Sequence, residues 1–196
     1  MICGICMKLW PQKRWKQILL ASFLAVIVIS AVLGAYIGLN LNKDVVSGID
    51  IVNPDGSKSA LIVYQPGLSS FPRDVSYAFG NGLAASGWRV EITTASSQAP
   101  SDLSKYGLIV LGFPCYGASP GTAIIRYVDR LTNLQGINAV IVACAAGSPG
   151  GSVDTMKQKV QAAGGTFKES LSLFTIAPNE GNGTATDIAR QAGTQI

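Results

Sequence analysis

Residues 106–117 are Tyr106-Gly107-Leu108-Ile109-Val110-Leu111-Gly112-Phe113-Pro114-Cys115-Tyr116-Gly117. This apolar run stops at Gly112 and continues into a loop of aromatic and small residues. Such a run is typical of a strand that is buried on both faces, as in a parallel sheet. In open α/β sheets, ligands bind beyond the carboxyl ends of the strands. We therefore expect residues 113–119 to lie where a planar ligand would be held, with Tyr116 able to stack on it.

Strand and helix patterns alternate on both sides of this stretch. Four more apolar or alternating segments predict strands, at 59–64, 88–93, 138–144 and 171–176. Helical spacing of apolar residues predicts helices at 73–86, 122–131, 153–163 and 184–192. Five strands alternating with helices predict an α/β fold with a doubly wound parallel sheet covered on both faces. The strand order 2-1-3-4-5 fits five strands and places a ligand at the switch between strands 1 and 3.

A second apolar segment lies near the N-terminus. No charged residue occurs between Lys16 and Lys43, and residues 18–37 are almost wholly apolar. About 20 residues rising about 1.5 Å each span about 30 Å, the thickness of a bilayer core. The alternative is a cleaved signal peptide. Leu33 is large for a cleavage site, and the apolar run is longer than the roughly 7–15 residues of a signal-peptide core.

The sequence therefore predicts four regions. A basic arm at 1–16 precedes one transmembrane helix at 17–39, a linker follows at 40–58, and the folded domain occupies 59–196. A turn signal, Asn53-Pro54-Asp55-Gly56, stands just before the domain.

The positive charge of the chain is concentrated in the arm. Lys8, Lys13, Arg14 and Lys16 are there without an acidic residue, whereas 11 basic residues (15 minus 4) balance 11 acidic ones from residue 40 onward. Basic residues flank the cytoplasmic end of a membrane helix. We expect a single-pass cell-membrane protein with a cytoplasmic N-terminus and an extracytoplasmic domain. The neutral domain has no basic patch that would indicate nucleic-acid binding.

The cysteines and the lack of histidine limit the chemistry. Cys3 and Cys6 form a C-x-x-C pair, but without a second pair or any His a zinc site is not expected. Palmitoylation and two unmodified thiols both remain open for this pair. Cys115 follows the third predicted strand and Cys144 ends the fourth, which should be its neighbour, so a disulfide and free thiols are both open. Triads that need His are excluded, so a cofactor must carry any chemistry.

Over residues 59–192 the chain resembles the flavodoxin family. Three features carry the resemblance: Ser69-Ser70 in the loop from the first strand to a helix, the Gly112–Gly117 segment after the third strand, and the small-residue loop 145–151 after the fourth. The resemblance implies a flavodoxin-like fold with FMN as its cofactor. It implies that the flavin is bound by Gln65, Gly67, Ser69, Ser70, Pro114, Cys115, Tyr116, Gly117, Ala146 and Gly147.

The first of these loops departs from the family pattern. Flavodoxins usually have a Thr/Ser-rich phosphate loop with T-G-x-T or a close variant, whereas residues 65–72 here are Gln65-Pro66-Gly67-Leu68-Ser69-Ser70-Phe71-Pro72. Pro66 and Pro72 each lack a backbone N–H that could face a phosphate. Ser69, Ser70, the following helix N-terminus and Arg73 could still bind an anion.

These expectations combine into one functional hypothesis and its alternative. The resemblance implies a membrane-anchored flavodoxin-like protein that binds FMN and carries electrons to or from a membrane-associated redox partner. As an enzyme it would be an FMN-dependent oxidoreductase, for which the sequence shows no nicotinamide site. The alternative is a flavodoxin-fold interaction module that has lost the flavin, which the two prolines favour.

Overall fold

The computed structural model describes residues 13–41, 43–131, 134 and 136–196 of the chain. Its contacts divide the chain into two compact units, Met1–Asn40 and Leu41–Ile196. Cys3, Cys6 and Lys8, on which expectations about the arm rest, lie outside the described residues.

The first unit contains helix α1 (Arg14–Leu41) except for its last residue. Within it, the 23-residue span Arg14–Tyr36 contains an 18-residue window with a mean hydropathy of 2.7 and is long and apolar enough to cross a membrane. This follows from length and composition, and an N-terminal signal sequence meets the same criterion. The helix begins three residues before the predicted span of 17–39 and ends two residues after it.

The second unit alternates strands and helices. Its strands are β1 (Asp50–Val52), β2 (Lys58–Tyr64), β3 (Trp88–Thr94), β4 (Leu108–Tyr116), β5 (Ser119–Pro120), β6 (Asn138–Ala145) and β7 (Thr166–Phe174). Its helices are α2 (Phe71–Ala85), α3 (Thr122–Arg130), α4 (Ser152–Ala162) and α5 (Ala185–Thr194).

One sheet organises this unit, in the order β1-β3-β2-β4-β6-β7, with β5 paired to β4. The strands β3-β2-β4-β6-β7 are parallel, and their order is the 2-1-3-4-5 order expected from the sequence. Helices α3 and α4 pack on one face and α2 and α5 on the other, each face with its own apolar core. The predicted α/β fold with a doubly wound parallel sheet is confirmed.

The sheet has two strands more than the five predicted. β5 forms a short hairpin with β4, in which Tyr116 pairs with Ser119. β1 pairs antiparallel with β3, from Asp50 opposite Ile92 to Val52 opposite Val90. Both strands are too short to produce a periodic pattern in the sequence.

β1 lies within residues 40–58, the segment predicted as a linker, and joins part of it to the sheet. The residues before β1 run along β3 as well: the Ser47 N–H donates to Thr94 Oγ1 at 3.1 Å, and Thr94 Oγ1 donates to the Val45 carbonyl at 2.5 Å. The Thr94 backbone N–H donates in turn to Ser47 Oγ at 3.1 Å, so these residues also cover backbone at the edge of β3.

The connection from β3 to β4 crosses the sheet without a helix, and all of its residues, 95–107, are described. The end of the connection forms a polar network with β3. Glu91 on β3 is 4% exposed and accepts from the Tyr106 hydroxyl at 2.5 Å and from Lys105 Nζ at 3.0 Å. Arg89 lies 3.3 Å from the same carboxylate. The charged side chain is buried with hydrogen-bonding partners, as a buried carboxylate requires.

Candidate functional site

A cavity of about 280 Å³ lies at the carboxyl ends of the central strands. Its walls come from the β2–α2 loop, the first turn of α2 and the ends of β4, β6 and β7. The lining residues are Leu68, Ser69, Phe71, Pro72, Pro114, Cys115, Tyr116, Cys144, Ala145, Ala146 and Thr175. Five predicted site residues are brought together there from three separate loops, namely Ser69, Pro114, Cys115, Tyr116 and Ala146. The cavity includes the switch between β2 and β4, where α/β sheets of this type bind ligands.

Tyr116 connects two sides of the cavity. It ends β4 and is half-buried, and its hydroxyl accepts a hydrogen bond from the Leu68 backbone N–H at 3.0 Å. Gly67 allows this approach, because a Cβ there would lie 3.2 Å from the Tyr116 hydroxyl and 3.1 Å from Pro72 Cγ. The position of the Tyr116 ring is thus fixed by β4 on one side and by the hydrogen bond of its hydroxyl on the other.

Gly117 does not line the cavity but determines where Tyr116 lies. Gly117 and Ala118 form the two-residue turn between β4 and β5, with φ of 58° and 65°. Positive φ at both central positions is the geometry of a type I′ hairpin, which strongly favours Gly. The turn packs against Gly150, where any Cβ would collide with Ala118. The hairpin therefore holds the β4 loop against the β6 loop.

Gln65 is placed away from the cavity. Its side chain is 2% exposed, and its Oε1 accepts from the Ile124 backbone N–H at 3.0 Å. Gly121 leaves space for it, because a Cβ there would collide with the Gln65 amide group. Gln65 thus stabilises the start of α3.

The loop that was expected to hold a phosphate offers hydroxyl groups and few other donors. Ser69 Oγ accepts from the Phe71 N–H at 3.4 Å, and Ser70 is the exposed N-cap of α2 without a side-chain capping bond. The N-terminus of a helix favours an anion, but α2 has Asp74 in its first turn. The Arg73 guanidinium lies 5.2 Å from the centre of the Tyr77 ring.

The β6 loop is joined to the segment that follows β7. The Ala146 carbonyl accepts from Ile176 N at 2.9 Å and from Ala177 N at 3.1 Å. The neighbouring Gly147 is exposed and lies outside the cavity wall. These bonds fix the far side of the cavity without using side chains.

The two thiols in the cavity wall are free. Strand register pairs Cys144 with Pro114, so Cys144 and Cys115 project to opposite faces of the sheet. Burial raises the pKa of Cys115, against the opposing effect of the Ser152 hydroxyl. Burial and then the adjacent Cys115 raise the pKa of Cys144 to about 12. Both groups are therefore thiols at neutral pH and weak nucleophiles.

Sequence reasoning did not select Leu68, Phe71 or Thr175, which also line the cavity. Leu68 is 53% exposed although it is a large apolar residue. The sequence did contain a signal for Leu68, because an exposed loop between a strand and a helix is usually polar and a large apolar residue in it is unusual. The walls on this side are apolar, which fits an aromatic ring better than a phosphate.

Comparisons with known proteins agree with this architecture. No family model and no curated protein sequence matches the chain. Among solved structures, a flavodoxin from the domain Archaea superposes with a TM-score of 0.58 at 17% identity, over 70% of this chain and 94% of that one. The two-electron reduced flavodoxin of Megasphaera elsdenii gives 0.57 at 18% identity, over 70% and 99%.

A larger protein contains the same fold. The flavodiiron core Flv1 from Synechocystis gives a TM-score of 0.59 at 15% identity and covers 72% of this chain. This chain spans only 36% of that core. The second unit is therefore a domain of flavodoxin-like fold, and the chain adds an apolar N-terminal helix to it.

Proposed function

We propose that this protein is a membrane-anchored flavodoxin-like protein that binds FMN and carries electrons to or from a membrane-associated redox partner. One observation carries the proposal: a single cavity at the carboxyl edge of the sheet unites residues of the β2, β4 and β6 loops. These are the loops in which the sequence predicted flavin-binding residues.

The walls of the cavity fit the flavin ring. Tyr116 offers an aromatic face on one side, and the small residues Ala145 and Ala146 leave room on the other. Pro114 and the two protonated thiols add apolar surface that would exclude water from the ring. FMN, when bound, supplies one- and two-electron chemistry, and the residues of this chain hold and orient it.

The phosphate end fits less well. Ser69 and Ser70 would offer hydroxyl donors, but the Leu68 N–H is already bonded to Tyr116. Pro66 and Pro72 supply no N–H. FMN would therefore be held mainly by its ring, and its phosphate would contribute little.

The anchor part of the proposal rests on α1 and on the charges around it. The span Arg14–Tyr36 includes the last basic residues of the arm, and basic residues at this end favour a cytoplasmic N-terminus and an extracytoplasmic domain. Two measurements test this part: the mass of the mature protein shows whether α1 is retained, and protease access in right-side-out vesicles shows on which side of the membrane the domain lies. A mature chain that lacks the first 35 or so residues would show a cleaved signal peptide instead.

Flavin binding is tested with the full chain purified in a mild detergent. We expect flavin fluorescence to be quenched in a saturable way when FMN is titrated with protein. The absence of co-purified flavin, together with no quenching at micromolar concentrations, would exclude the electron-transfer function. An FMN-dependent oxidoreductase would in addition oxidise a nicotinamide donor when loaded with flavin.

The second candidate is an interaction module of the same fold without flavin. The bond between Leu68 and Tyr116 favours it, because that bond uses a loop N–H that could otherwise bind phosphate. Under this alternative neither FMN nor riboflavin is bound, whereas the first proposal requires that at least the ring is bound.

A further inference from the structure

The chain enters the second unit at the carboxyl edge of its sheet. Asp44 accepts from the Ser97 hydroxyl at 2.7 Å, and Ser97 lies three residues beyond the end of β3. The residues after Asp44 then run back along β3, because Ser47 bonds to Thr94 and β1 pairs antiparallel with β3. The point of entry is therefore at the same edge of the sheet as the cavity formed by the β2, β4 and β6 loops.

The link between this point of entry and the apolar helix is short. α1 ends at Leu41, and only residues 42 and 43 lie between it and Asp44. A chain extends by at most about 3.3–3.6 Å per residue, so this link is no longer than about 11 Å. β3 has seven residues, so the amino edge of the sheet lies about 20 Å further along the strands. In a chain that is anchored by α1, the link therefore keeps the carboxyl edge within reach of the bilayer surface.

Exposed apolar side chains are found at this same edge. Leu68, in the β2–α2 loop, is exposed and lines the cavity. Ile176 follows β7, is 83% exposed and donates its backbone N–H to the Ala146 carbonyl of the β6 loop. Val45 and Val46 are exposed beside the point of entry. Single exposed apolar residues are ordinary, whereas several at one edge of a domain indicate a surface that contacts an apolar partner.

We propose that the carboxyl edge of the domain, with Val45, Val46, Leu68 and Ile176, docks on the surface of the bilayer, so that the cavity opens towards the membrane. The inference rests on the anchor in the proposed function and adds to it the orientation of the domain. The short link determines which edge reaches the bilayer, and apolar side chains are what the boundary between headgroups and acyl chains binds. A redox partner embedded in the membrane, rather than a soluble protein, would then exchange electrons with the bound flavin.

The test uses a photo-crosslinking amino acid in the full chain. p-Benzoylphenylalanine replaces one residue at a time, and each protein is reconstituted in phosphatidylcholine vesicles. Leu68 and Ile176 report on the carboxyl edge. Asp55 and Thr166, which are exposed at the amino edge, are the matched controls. Phe23, within the apolar span, reports on the anchor itself. After illumination, mass spectrometry measures the fraction of each protein that carries a covalently attached lipid.

We expect a lipid adduct at Phe23, and several-fold more adduct at Leu68 and Ile176 than at Asp55 or Thr166. The absence of an adduct at Phe23 would show that α1 is not in the bilayer, and both the anchor and this inference would fail. An adduct at Phe23 together with equal yields at the two edges of the sheet would overturn this inference alone and leave the anchor in place.

A further pair of variants tests whether the apolar side chains make the contact. With the crosslinker at Leu68, Ile176→Glu should lower the yield of lipid adduct several-fold, because a carboxylate is costly to bring into an apolar environment. Ile196→Glu, beyond the end of α5, is the control and should leave the yield unchanged. A yield at Leu68 that Ile176→Glu does not lower, or that Ile196→Glu lowers as much, would overturn the docking of this surface.

Discussion

The hydroxyl of Tyr116 accepts a hydrogen bond from the backbone N–H of Leu68, with 3.0 Å between the two atoms. This bond joins the loop that would flank a flavin ring to the loop that would hold its phosphate. One residue therefore favours ring binding through its aromatic face and opposes phosphate binding through its hydroxyl. The two effects can be separated by substitution.

We predict that riboflavin, which lacks the phosphate, binds within a few-fold of FMN. Tyr116→Phe keeps the ring and frees the Leu68 N–H, so FMN should then bind more tightly than riboflavin. One hydrogen bond to a charged group contributes about 1.5–3 kcal/mol, or roughly tenfold or more in affinity. Fluorescence titration of both flavins measures the ratio.

Two further variants complete this comparison. Tyr116→Ala should weaken both flavins, since it removes the aromatic wall. Tyr77→Phe is the control, because Tyr77 bonds to Asp50 and does not line the cavity. A wild-type preference for FMN of a thousandfold would contradict the view that the phosphate contributes little.

The two cavity thiols give a second prediction. Alkylation by iodoacetamide at neutral pH should be slow at both, because burial raises both pKa values, and slower at Cys144, whose pKa is about 12. Bound flavin should protect the half-buried Cys115. Peptide mass spectrometry distinguishes labelling at these two cysteines from labelling at Cys3 and Cys6. Equal labelling of Cys115 with and without saturating flavin would show that the flavin ring does not lie beside Cys115.

The fold could be predicted because its signals are local. The apolar run that forms β4 and the helical spacing in α2 are readable within ten or fifteen residues. Ser69, Pro114, Cys115, Tyr116 and Ala146 could be placed together because parallel strands bring their carboxyl ends to one edge. That rule needs the strand order and no knowledge of side-chain contacts.

What the sequence did not reveal depends on long-range pairing. Gln65 follows β2 directly, as a ligand-binding residue would, but its amide bonds to Ile124, 59 residues away. β1 has three residues, and only its pairing with β3 makes it a strand. The Arg130 guanidinium donates to carbonyls of residues 96–99 in the β3–β4 connection, a contact more than 30 residues apart that no local pattern in the sequence indicates.

Packing of α2 against α5 gives a third prediction. Gly82 lies where any Cβ would collide with the Arg190 carbonyl, and Gly193 faces it from α5. Gly82→Ala should therefore destabilise the domain by about 1–3 kcal/mol through overpacking, although Ala favours a helix more than Gly does. Asn81→Ala, exposed on the same helix, is the control and should have little effect in denaturant unfolding. A stabilised Gly82→Ala protein would mean that the helices are further apart.

The network around Glu91 gives the last prediction. Burial acts to raise the pKa of Glu91, but hydrogen bonds from Tyr106 and Lys105 outweigh it, so the pKa is lowered. Tyr106→Phe removes the 2.5 Å bond to the carboxylate and should cost about 1.5–3 kcal/mol. Lys105→Met should cost less than about 1 kcal/mol, because the Lys105 side chain is 60% exposed.

The network around Glu91 also determines the direction in which the stability of the domain changes with pH. The pKa of Glu91 is lower in the folded than in the unfolded protein. The contribution of Glu91 to the free energy of unfolding is therefore complete above the unfolded pKa and is lost as the pH falls through the folded pKa. Denaturant unfolding of the wild type and of Tyr106→Phe at neutral and acidic pH measures this. The difference in unfolding free energy between the two proteins should shrink as the pH falls, because a protonated Glu91 no longer needs the tyrosine as a donor to its charge. A difference that stays constant down to acidic pH would show that Tyr106 acts through packing alone.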